Sequence, residues 1–467
     1  MMRSMFSAVS GLSAHQLRMD GIGNNIANVN TVGFKANRTT FQDVFNQTLA
    51  GAGSPQAGRG GTNPQQVGLG MTVNSMDTLH VRGAVETTGV NTDMMINGDG
   101  FFMVSSDPNF QDRSYTRAGD FALDRSGNLV TPGGMRVLGY MADEQGVLGT
   151  NLEGLVISRA QTFDAEQTEN VGFEGNLDST TDVFDGDIIG NVLNEDDNFR
   201  IFSGMENYVA RETTFEIFDN LGGEHRIKQV FVKSELGDNA PDTAASAFDV
   251  LSFYVGDDGT LYPFEDPEVN PVDPPDNPDI GQHKIYFNED GKMVTPDTID
   301  SDGPIKSLLI NAEATNGAGE LNFDIDFSKL TMFANESTAA ALDVDGYKQG
   351  SLVDFSVASS GEITGVFDNG QSRVIGQVAL ANFRNPAGLE KDGSNMYRST
   401  NNSGQAMVGT PGSGGLGALN PSALEMSNTD LSREFTNMIT TQRGFQANSR
   451  IITTSDEMLQ EVVNMKR

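Results

Sequence analysis

Residues 5–26 read MFSAVSGLSAHQLRMDGIGNNI and residues 431–463 read LSREFTNMITTQRGFQANSRIITTSDEMLQEVV, and these two stretches have the clearest periodic pattern in the chain. In both, mostly apolar residues recur in alternating steps of three and four, which places them along one face of an α-helix. Both ends of the chain lack proline, because the first proline is Pro55 and the last is Pro421. The sequence therefore predicts a helix over about residues 5–26 and a longer one over about residues 428–463. Ser427 and Asp430 are spaced like a capping box at the start of the second helix.

Each predicted helix carries one seam of regularly spaced residues. The first seam comprises Met5, Ala8, Leu12, His15, Met19, Ile22 and Ile26. The second comprises Leu431, Phe435, Met438, Gln442, Phe445, Ser449, Ile452, Asp456, Leu459 and Val463. The two helices can pair, but one pair leaves apolar surface open, so neighbouring subunits are expected to cover it. A head-to-tail contact that does not close produces a helical filament. The predicted polymerisation interface is Leu12, Met19, Ile22, Ile26, Leu431, Phe435, Met438, Phe445, Ile452, Leu459 and Val463.

Between the two helices the sequence has the pattern of short antiparallel strands. Phe101 to Val104 reads as a strand, and residues 123–130 read as strand, turn and strand. Further hairpins are predicted where apolar residues flank a turn pair, namely at Asp258-Gly259, Asp290-Gly291 and Asn369-Gly370. Residues 50–70 are predicted to be an extended connector, and residues 263–279, with six prolines, a surface loop.

Charge is distributed unevenly along the 467 residues, whose formal net charge is −34. Residues 161–340 alone contain 38 acidic and 9 basic residues, whereas both flanking segments are nearly neutral. This is the pattern of an acidic inserted domain. The predicted organisation is a discontinuous helical domain (1–35 and 425–467), a connector (36–75), a discontinuous β domain (76–160 and 341–424) and an acidic outer β domain (161–340), with possible subdomains. The fold class is thus multidomain, with long terminal helices forming a coiled-coil-like domain and mainly antiparallel β domains between them.

Composition excludes several functional classes. The chain has no Cys, which excludes disulfides, Cys-ligated zinc, iron–sulfur clusters and thiol nucleophiles. Its negative charge argues against binding nucleic acid. No apolar run approaches the 18 or so residues of a membrane span, so no membrane insertion is expected. The N-terminus lacks the apolar core of a secretory signal, so we expect any export to proceed without a cleavable signal peptide.

The sequence gives little support for catalysis. The four histidines, His15, His80, His225 and His283, lie in helix or strand patterns without a nucleophile motif nearby. Residues 412–417 match the spacing G-x-G-x-x-G, but no buried strand precedes them and Pro421 stands where a phosphate-binding helix would run. We therefore predict no catalytic residue, no cofactor and no enzyme activity.

The acidic segment leaves calcium binding open as an alternative, because carboxylates are the ligands that this ion prefers. The candidates are Asp257-Asp258, Glu265-Asp266 and residues 273–279. No complete EF-hand loop is present, and a solvated acidic surface explains the same residues, so no metal site is predicted. A calcium-binding, adhesin-like secreted protein is the corresponding functional alternative.

Both ends of the chain carry sequence motifs of one known family. The segments Ser7–Ala14, Gly23–Lys35, Ser427–Leu431, Gln442–Asn448 and Ile452–Leu459 resemble the terminal signatures of bacterial flagellar rod and hook proteins. The signature residues are Gly23, Asn24, Asn25, Ala27, Asn28, Asn30, Thr31, Gly33, Phe34, Lys35, Gln442, Arg443, Gln446, Ala447 and Asn448. Gly444-Phe445 departs mildly from the usual Ala or Ser followed by Tyr.

Further blocks favour the hook branch of this family. Residues 97–102 and 115–121 are similar to both rod and hook proteins, whereas residues 363–370, 376–383 and 385–389 are hook-like. The resemblance covers about residues 1–160 and 341–467. The large middle insertion also favours a hook protein, while the long connector is similar to that of the distal rod, which stays open as an alternative.

The resemblance implies a curved helical tube that acts as a universal joint and passes torque from rod to filament. The terminal helices would line its inner wall, and the β domains would form its outer surface. Implied partners are further copies of the chain, the flagellar rod, hook cap and hook–filament junction proteins, and the flagellar type III export apparatus. The implied location is the extracellular part of the bacterial flagellum.

Overall fold

The structure is a computed structural model, and it describes residues 2–55, 58, 60–185, 207–236, 240–256, 259, 261–263, 283–294, 305–311 and 320–465. The chain divides into two compact units. The first unit comprises Met1–Gln161, Leu352–Val366 and Ser372–Arg467. The second unit comprises Thr162–Ser351 and Phe367–Gln371.

Two long helices and 32 strands make up the described secondary structure, apart from a short 3-10 turn at Pro386–Gly388. The helices are α1 (Met2–Ala27) and α2 (Leu431–Met465). The strands up to the end of the first segment are β1 (Asn37–Asp43), β2 (Asn46–Ala50), β3 (Gln65–Gly68), β4 (Met71–Thr78), β5 (Val85–Thr87), β6 (Met94–Asn97), β7 (Phe101–Ser105), β8 (Ser114–Thr116), β9 (Ala122–Leu123), β10 (Leu129–Val130), β11 (Arg136–Met141) and β12 (Glu153–Gly154). The next are β13 (Thr162–Phe163), β14 (Asn170–Asp178), β15 (Val209–Phe218), β16 (Glu224–Ser234), β17 (Ser246–Val255), β18 (Leu261–Pro263), β19 (His283–Phe287), β20 (Met293–Val294), β21 (Ile305–Asn311), β22 (Glu320–Phe333), β23 (Ala340–Val344) and β24 (Gly350–Val357). The last are β25 (Glu362–Phe367), β26 (Ser372–Val378), β27 (Leu380–Asn382), β28 (Glu390–Gly393), β29 (Met396–Arg398), β30 (Met407–Gly409), β31 (Ala418–Pro421) and β32 (Ala423–Glu425).

Both predicted helices are confirmed, but the cap of the second differs from the prediction. The Oδ1 atom of Asp430 accepts hydrogen bonds from the backbone N–H of Ser432 (2.9 Å) and of Arg433 (3.3 Å). Asp430 is therefore the N-cap residue, which satisfies two of the free N–H groups of the first turn. The hydroxyl of Ser427 instead donates to the hydroxyl of Thr429 (2.9 Å).

The β part of the first unit is built around one continuous run of strands in the order β25-β26-β11-β7-β8-β29-β28. Its core is dominated by aromatic and small side chains that meet edge to face, as aromatic pairs prefer. The core residues are Phe101, Met103, Tyr115, Leu138, Ala379, Ala381, Phe383 and Tyr397. Strands from both halves of the sequence contribute, so residues 76–160 and 352–424 fold together.

The segment predicted as an extended connector is a two-stranded ribbon. β1 pairs antiparallel with β4, and β2 continues the same ribbon by pairing with β3. The ring of Phe41 in β1 lies 5.8 Å from the ring of His15 and 5.6 Å from the guanidinium carbon of Arg18, so the base of the ribbon packs on α1. Residues 50–70 are rich in glycine, glutamine and proline, which is typical of a loop. The sequence therefore did not indicate that β2 and β3 pair.

The second unit is a sandwich of two sheets. One sheet has the order β21-β22-β14-β23, and the other has the order β15-β16-β17-β19-β20 with β18 beside β17. All these pairings are antiparallel except that of β14 with β22. Side chains of both sheets meet in one apolar core that includes Phe173, Phe231, Phe248 and Phe327. The prediction of mainly antiparallel β structure between the helices is confirmed.

Most of the predicted hairpins appear. Gly127, Gly291 and Gly370 adopt positive φ angles of 83°, 73° and 81° at the turns between β9 and β10, β19 and β20, and β25 and β26. Strands β17 and β18 also pair, but Asp258 at the tip lies outside the described residues, as does nearly all of the proline-rich segment 263–279.

Candidate functional site

The two terminal helices form an antiparallel pair with a constant register. Asn25 donates from Nδ2 to Oε2 of Glu434 (3.4 Å). A methyl group added at Gly11 would lie 2.7 Å from Nδ2 of Asn448, and one added at Gly444 would lie 2.7 Å from Nε2 of His15. In each of these contacts the two residue numbers add up to 459. A constant sum means that the two antiparallel helices keep the same register from Gly11 to Asn25 of α1.

Small and polar residues set the close approach of the two helices. Gly11 of α1 faces Asn448, and Gly444 of α2 faces the His15 ring. The buried positions of α2 are Thr441 and Ser455 rather than large apolar residues. Gly444, which stands where the family more usually has Ala or Ser, thus provides space for a neighbouring side chain.

The predicted interface residues fall into three groups in the structure. Ile22 is buried within the chain. The half-buried residues are Leu12, Met19, Ile26, Met438, Phe445, Ile452 and Leu459. The exposed residues are Leu431, Phe435 and Val463. All seven members of the first seam are buried or half-buried, so this seam packs mainly inside the chain.

Other apolar side chains of the helix pair are exposed. On α1, Met2, Phe6, Val9 and Leu17 follow steps of four, three and eight, which places them on one face. Phe6 is 62% exposed. On α2 the exposed apolar residues are Leu431, Phe435, Ile439, Ile451, Met458, Val462, Val463 and Met465. The prediction from sequence missed this exposed face of α1, because the seam from Met5 to Ile26 contains more apolar residues at regular spacing. The spacing of Met2, Phe6 and Val9 is the sequence pattern that indicates the exposed face.

A buried ion triad lies just beyond the helices. Nζ of Lys35 lies 2.7 Å from Oε1 of Glu425 and donates to the backbone oxygen of Val81 (2.9 Å). A guanidinium nitrogen of Arg117 lies 3.6 Å from Oε2 of Glu425. The side chains of Lys35 and Glu425 are fully buried. The carboxylate of Glu425 is therefore the counter-ion of both cations. It also accepts a hydrogen bond from the backbone N–H of Gly83 (2.8 Å).

The triad joins the segment after α1 to the strand that leads into α2. Lys35 follows α1 by eight residues, and Glu425 ends β32. Burial lowers the pKa of Lys35, an effect that Glu425 partly opposes. The family resemblance included Lys35 and, within the block 115–121, Arg117, although without a role for either. Glu425 was missed; a glutamate beside Leu424 in a strand is the signal that was available.

Other signature residues have identifiable structural roles. Asn25 is buried, donates from Nδ2 to the backbone oxygen of Asn37 (2.8 Å) and accepts at Oδ1 from the N–H of Asn37 (2.9 Å). Gly33 has a φ of 69°, and a methyl group there would lie 2.6 Å from the backbone nitrogen of Ala118. Asn28 donates to the backbone oxygen of Asn24 (2.9 Å) near the end of α1.

The remaining signature residues divide between the junction and the helix surfaces. Phe34 is buried and Thr31 is half-buried, as is Asn448 beside Gly11. The exposed ones are Gly23, Asn24, Ala27, Asn30, Gln442, Arg443, Gln446 and Ala447.

His80 lies beside the triad and should make the stability of the first unit depend on pH. Burial, followed by the charges of Arg117, Lys35 and Lys391, lowers its pKa from 6.5 to about 4. The unfolded chain therefore takes up the proton first as the pH falls below 6.5. We expect this group to cost up to about 3 kcal/mol of stability between pH 6.5 and pH 4, at 1.4 kcal/mol per pKa unit.

Urea unfolding at a series of pH values checks this expectation against His80→Phe, whose ring can pack on Phe101 and Tyr397 as the imidazole does. Carboxylates titrate in both proteins, so the informative quantity is the difference between the two stability curves. That difference should grow as the pH falls, and parallel curves would contradict the assigned environment.

Chemical functions are not apparent in the described residues. Within them, no three His, Asp or Glu side chains converge in a way that could hold a metal ion. The calcium candidates at 257–258, 265–266 and 273–279 lie outside the described residues. The glycine-rich segment 412–417 forms a turn between β30 and β31 and is followed by a strand. No helix among the described residues has both the length and the apolar character needed to cross a bilayer.

Four family models match the chain. They are described as "Flagella basal body rod protein" (residues 5–35), "Flagellar hook protein FlgE/F/G D1 domain" (95–168), "Flagellar basal body protein FlaE D2 domain" (202–347) and "Flagellar basal body rod FlgEFG protein C-terminal" (420–465). The D2 match covers most of the acidic middle segment, for which the terminal motifs gave no information.

Curated relatives match over full length. The chain is 39% identical to "Flagellar hook protein FlgE" of Treponema pallidum and 38% identical to that of Borreliella burgdorferi, with 100% of both chains covered in each case. It is 29% identical to "Flagellar basal-body rod protein FlgG" of Bacillus subtilis, again over 100% of both chains. These two hook proteins are thus more similar to the chain than this rod protein is. The chain belongs to the flagellar hook protein family and is a structural subunit of the bacterial flagellar hook, not an enzyme.

Proposed function

We propose that the subunit polymerises through its terminal helix pair into a curved tube that acts as a universal joint between rod and filament. The observation that carries this proposal is the exposed apolar face of α1, formed by Met2, Phe6, Val9 and Leu17. Such a face on the outside of a helix pair is costly in water, and a neighbouring subunit that covered it would remove that cost. The constant register of α1 and α2 supports coiled-coil-like packing within each subunit.

The domain organisation belongs to the same proposal. The terminal segments 1–35 and 425–467 would form the polymerisation domain, the ribbon within 36–75 the connector, and 76–160 with 341–424 an inner β domain. The acidic domain at 161–340 would face solvent, where its charge keeps the outside of the tube soluble. Contacts between such polar surfaces exchange more readily than dry apolar ones, which suits a tube that bends while it rotates.

The further partners are proposed from family membership. They are the flagellar rod, the hook cap, the hook–filament junction proteins and the type III export apparatus. Export through the flagellar channel would bring the subunit to the extracellular part of the flagellum.

The α1 face can be tested by replacing Phe6, Val9 and Leu17 with glutamine, which retains good helix propensity. We expect the variant to keep its secondary structure by circular dichroism, because these side chains point away from the chain's own core. It should fail to form tubes in electron microscopy under conditions in which the wild-type chain assembles.

Leu221→Gln with Leu342→Gln provides the control, since both side chains are exposed apolar residues of the second unit, 62% and 70% accessible. This control should assemble. Normal tubes from the α1 variant would refute a role for this face in polymerisation.

A further inference from the structure

The C-terminal end of α2 faces no described residue of α1. With the register described above, Met2, the first described residue of α1, lies opposite Glu457. Among the described residues, positions 458–465 therefore have no α1 residue opposite them, and we call them the α2 overhang. Eight residues correspond to about 12 Å of helix at 1.5 Å per residue.

The overhang carries an exposed apolar stripe beside the buried side of α2. Ser455, one turn earlier, is buried, and Leu459 is half-buried. Met458, Val462 and Met465 follow in steps of four and three, so they share one face. Their exposed fractions are 45%, 47% and 78%. The stripe thus lies beside the surface that α2 uses to pack on α1.

Two glutamates stand beside this stripe. Glu457 and Glu461 are exposed, and among the described residues neither forms an ion pair. Like charges four residues apart destabilise a helix by about 0.2–0.5 kcal/mol. Glu461 also lies near the negative end of the helix dipole. Lys466 and Arg467 follow in the sequence, outside the described residues. The arrangement favours a partner that brings positive charge.

A matching surface lies in the middle of the same helix. Arg443 and Arg450 are seven residues apart, so they lie on one face of α2, and both are exposed without an ion pair in the described part of the chain. Ile439 and Ile451, 52% and 43% exposed, flank them. We call Ile439, Arg443, Arg450 and Ile451 the basic patch. Charge and apolar character are both complementary to those of the overhang.

One chain cannot bring its overhang to its own basic patch. Both lie on α2, and Arg450 and Glu457 are separated by about 10 Å along the helix axis, since each residue adds 1.5 Å. A continuous helix cannot fold back over that distance. The complementary surface must therefore come from another molecule, and a second copy of this chain carries it.

We propose that the α2 overhang of one subunit, together with Glu457 just before it, docks on the basic patch of α2 in a neighbouring subunit. Glu457 and Glu461 pair with Arg443 and Arg450, and Met458, Val462 and Met465 cover Ile439 and Ile451. The inference rests on the proposed self-assembly and specifies a heterologous contact within it, because the two surfaces are different. Such a contact propagates from subunit to subunit instead of closing on itself.

Charge exchange in the full-length chain tests the contact. One variant carries Glu457→Lys and Glu461→Lys, and the other carries Arg443→Glu and Arg450→Glu. We expect each alone to need at least about tenfold more protein than wild type to form tubes, because each juxtaposes like charges at the contact. An equimolar mixture should assemble near the wild-type concentration, since every overhang can then meet an opposite charge. The chain with all four substitutions should assemble as well.

Two controls separate charge from position. Glu86→Lys with Glu390→Lys makes the same change in net charge as the Glu457 and Glu461 variant, at exposed strand positions. Lys466→Gln with Arg467→Gln removes the charges that follow the overhang. Both should assemble like wild type. Circular dichroism should show the same helix content in every variant.

Three results would overturn the inference. Either charge variant alone could assemble like wild type, which would refute the contact while wild-type tubes still upheld the proposed function. Both variants could fail to form tubes alone and also in the equimolar mixture. This would show that the glutamates and the arginines interact with other partners and not with each other. Wild-type chains that formed no tubes would refute self-assembly itself, and the contact with it.

Discussion

Replacing Glu425 by glutamine is expected to destabilise the first unit by about 3–5 kcal/mol, the usual cost of removing one member of a buried ion pair. The substitution keeps the size of the side chain but removes the only acidic group that lies within 4 Å of both Lys35 and Arg117 in the described residues. Two cations would then be buried together without a counter-charge in direct contact. Their repulsion and desolvation, rather than lost packing, account for the expected size of the effect.

Urea unfolding followed by circular dichroism measures this effect as a shift of the transition of the first unit. Glu86→Gln is the matched control, because Glu86 lies in β5, the strand paired with β32, and its side chain is exposed. The control should change stability by less than about 0.5 kcal/mol. Adding Lys35→Met to Glu425→Gln should restore part of the lost stability, because one uncompensated cation is then removed. Equal stability of the Glu425 and Glu86 variants would contradict the triad.

The helices and the general β character could be predicted from sequence because they depend on local periodicity. The steps of three and four between Met5 and Ile26 directly reflect helix geometry, and turn pairs such as Asn369-Gly370 require only the short-range preference of glycine for positive φ. The cap was misassigned because Ser427 and Asp430 are both good capping residues, and only backbone geometry distinguishes them.

The junction below the helices could not be predicted in the same way. Lys35 and Glu425 are separated by 390 residues, and no local pattern encodes their contact. The small residues Gly11 and Gly444 gave no signal for packing, because their role depends on which side chains lie opposite. The family signature included Lys35, Gly33 and Asn25 without giving their roles. In the structure they help to hold together the segment that follows α1 and the segment that leads into α2.

Deleting both terminal helices is expected to abolish assembly altogether. The shortened chain should lack residues 1–27 and 431–467 and keep Lys35 and Glu425, so that the ion triad stays complete. Since the β cores of both units remain, we expect it to unfold cooperatively and to stay monomeric at concentrations at which the full chain polymerises.

Polymerisation through the terminal helices can be tested by electron microscopy of the full chain beside the shortened chain, with hook fragments as seeds and salt added to screen the charge of −34. We expect curved tubes from the full chain and none from the shortened one, while thermal unfolding shows that the shortened chain is folded. Tubes formed by the shortened chain, or a full chain that does not extend the seeds, would contradict polymerisation through the terminal helices.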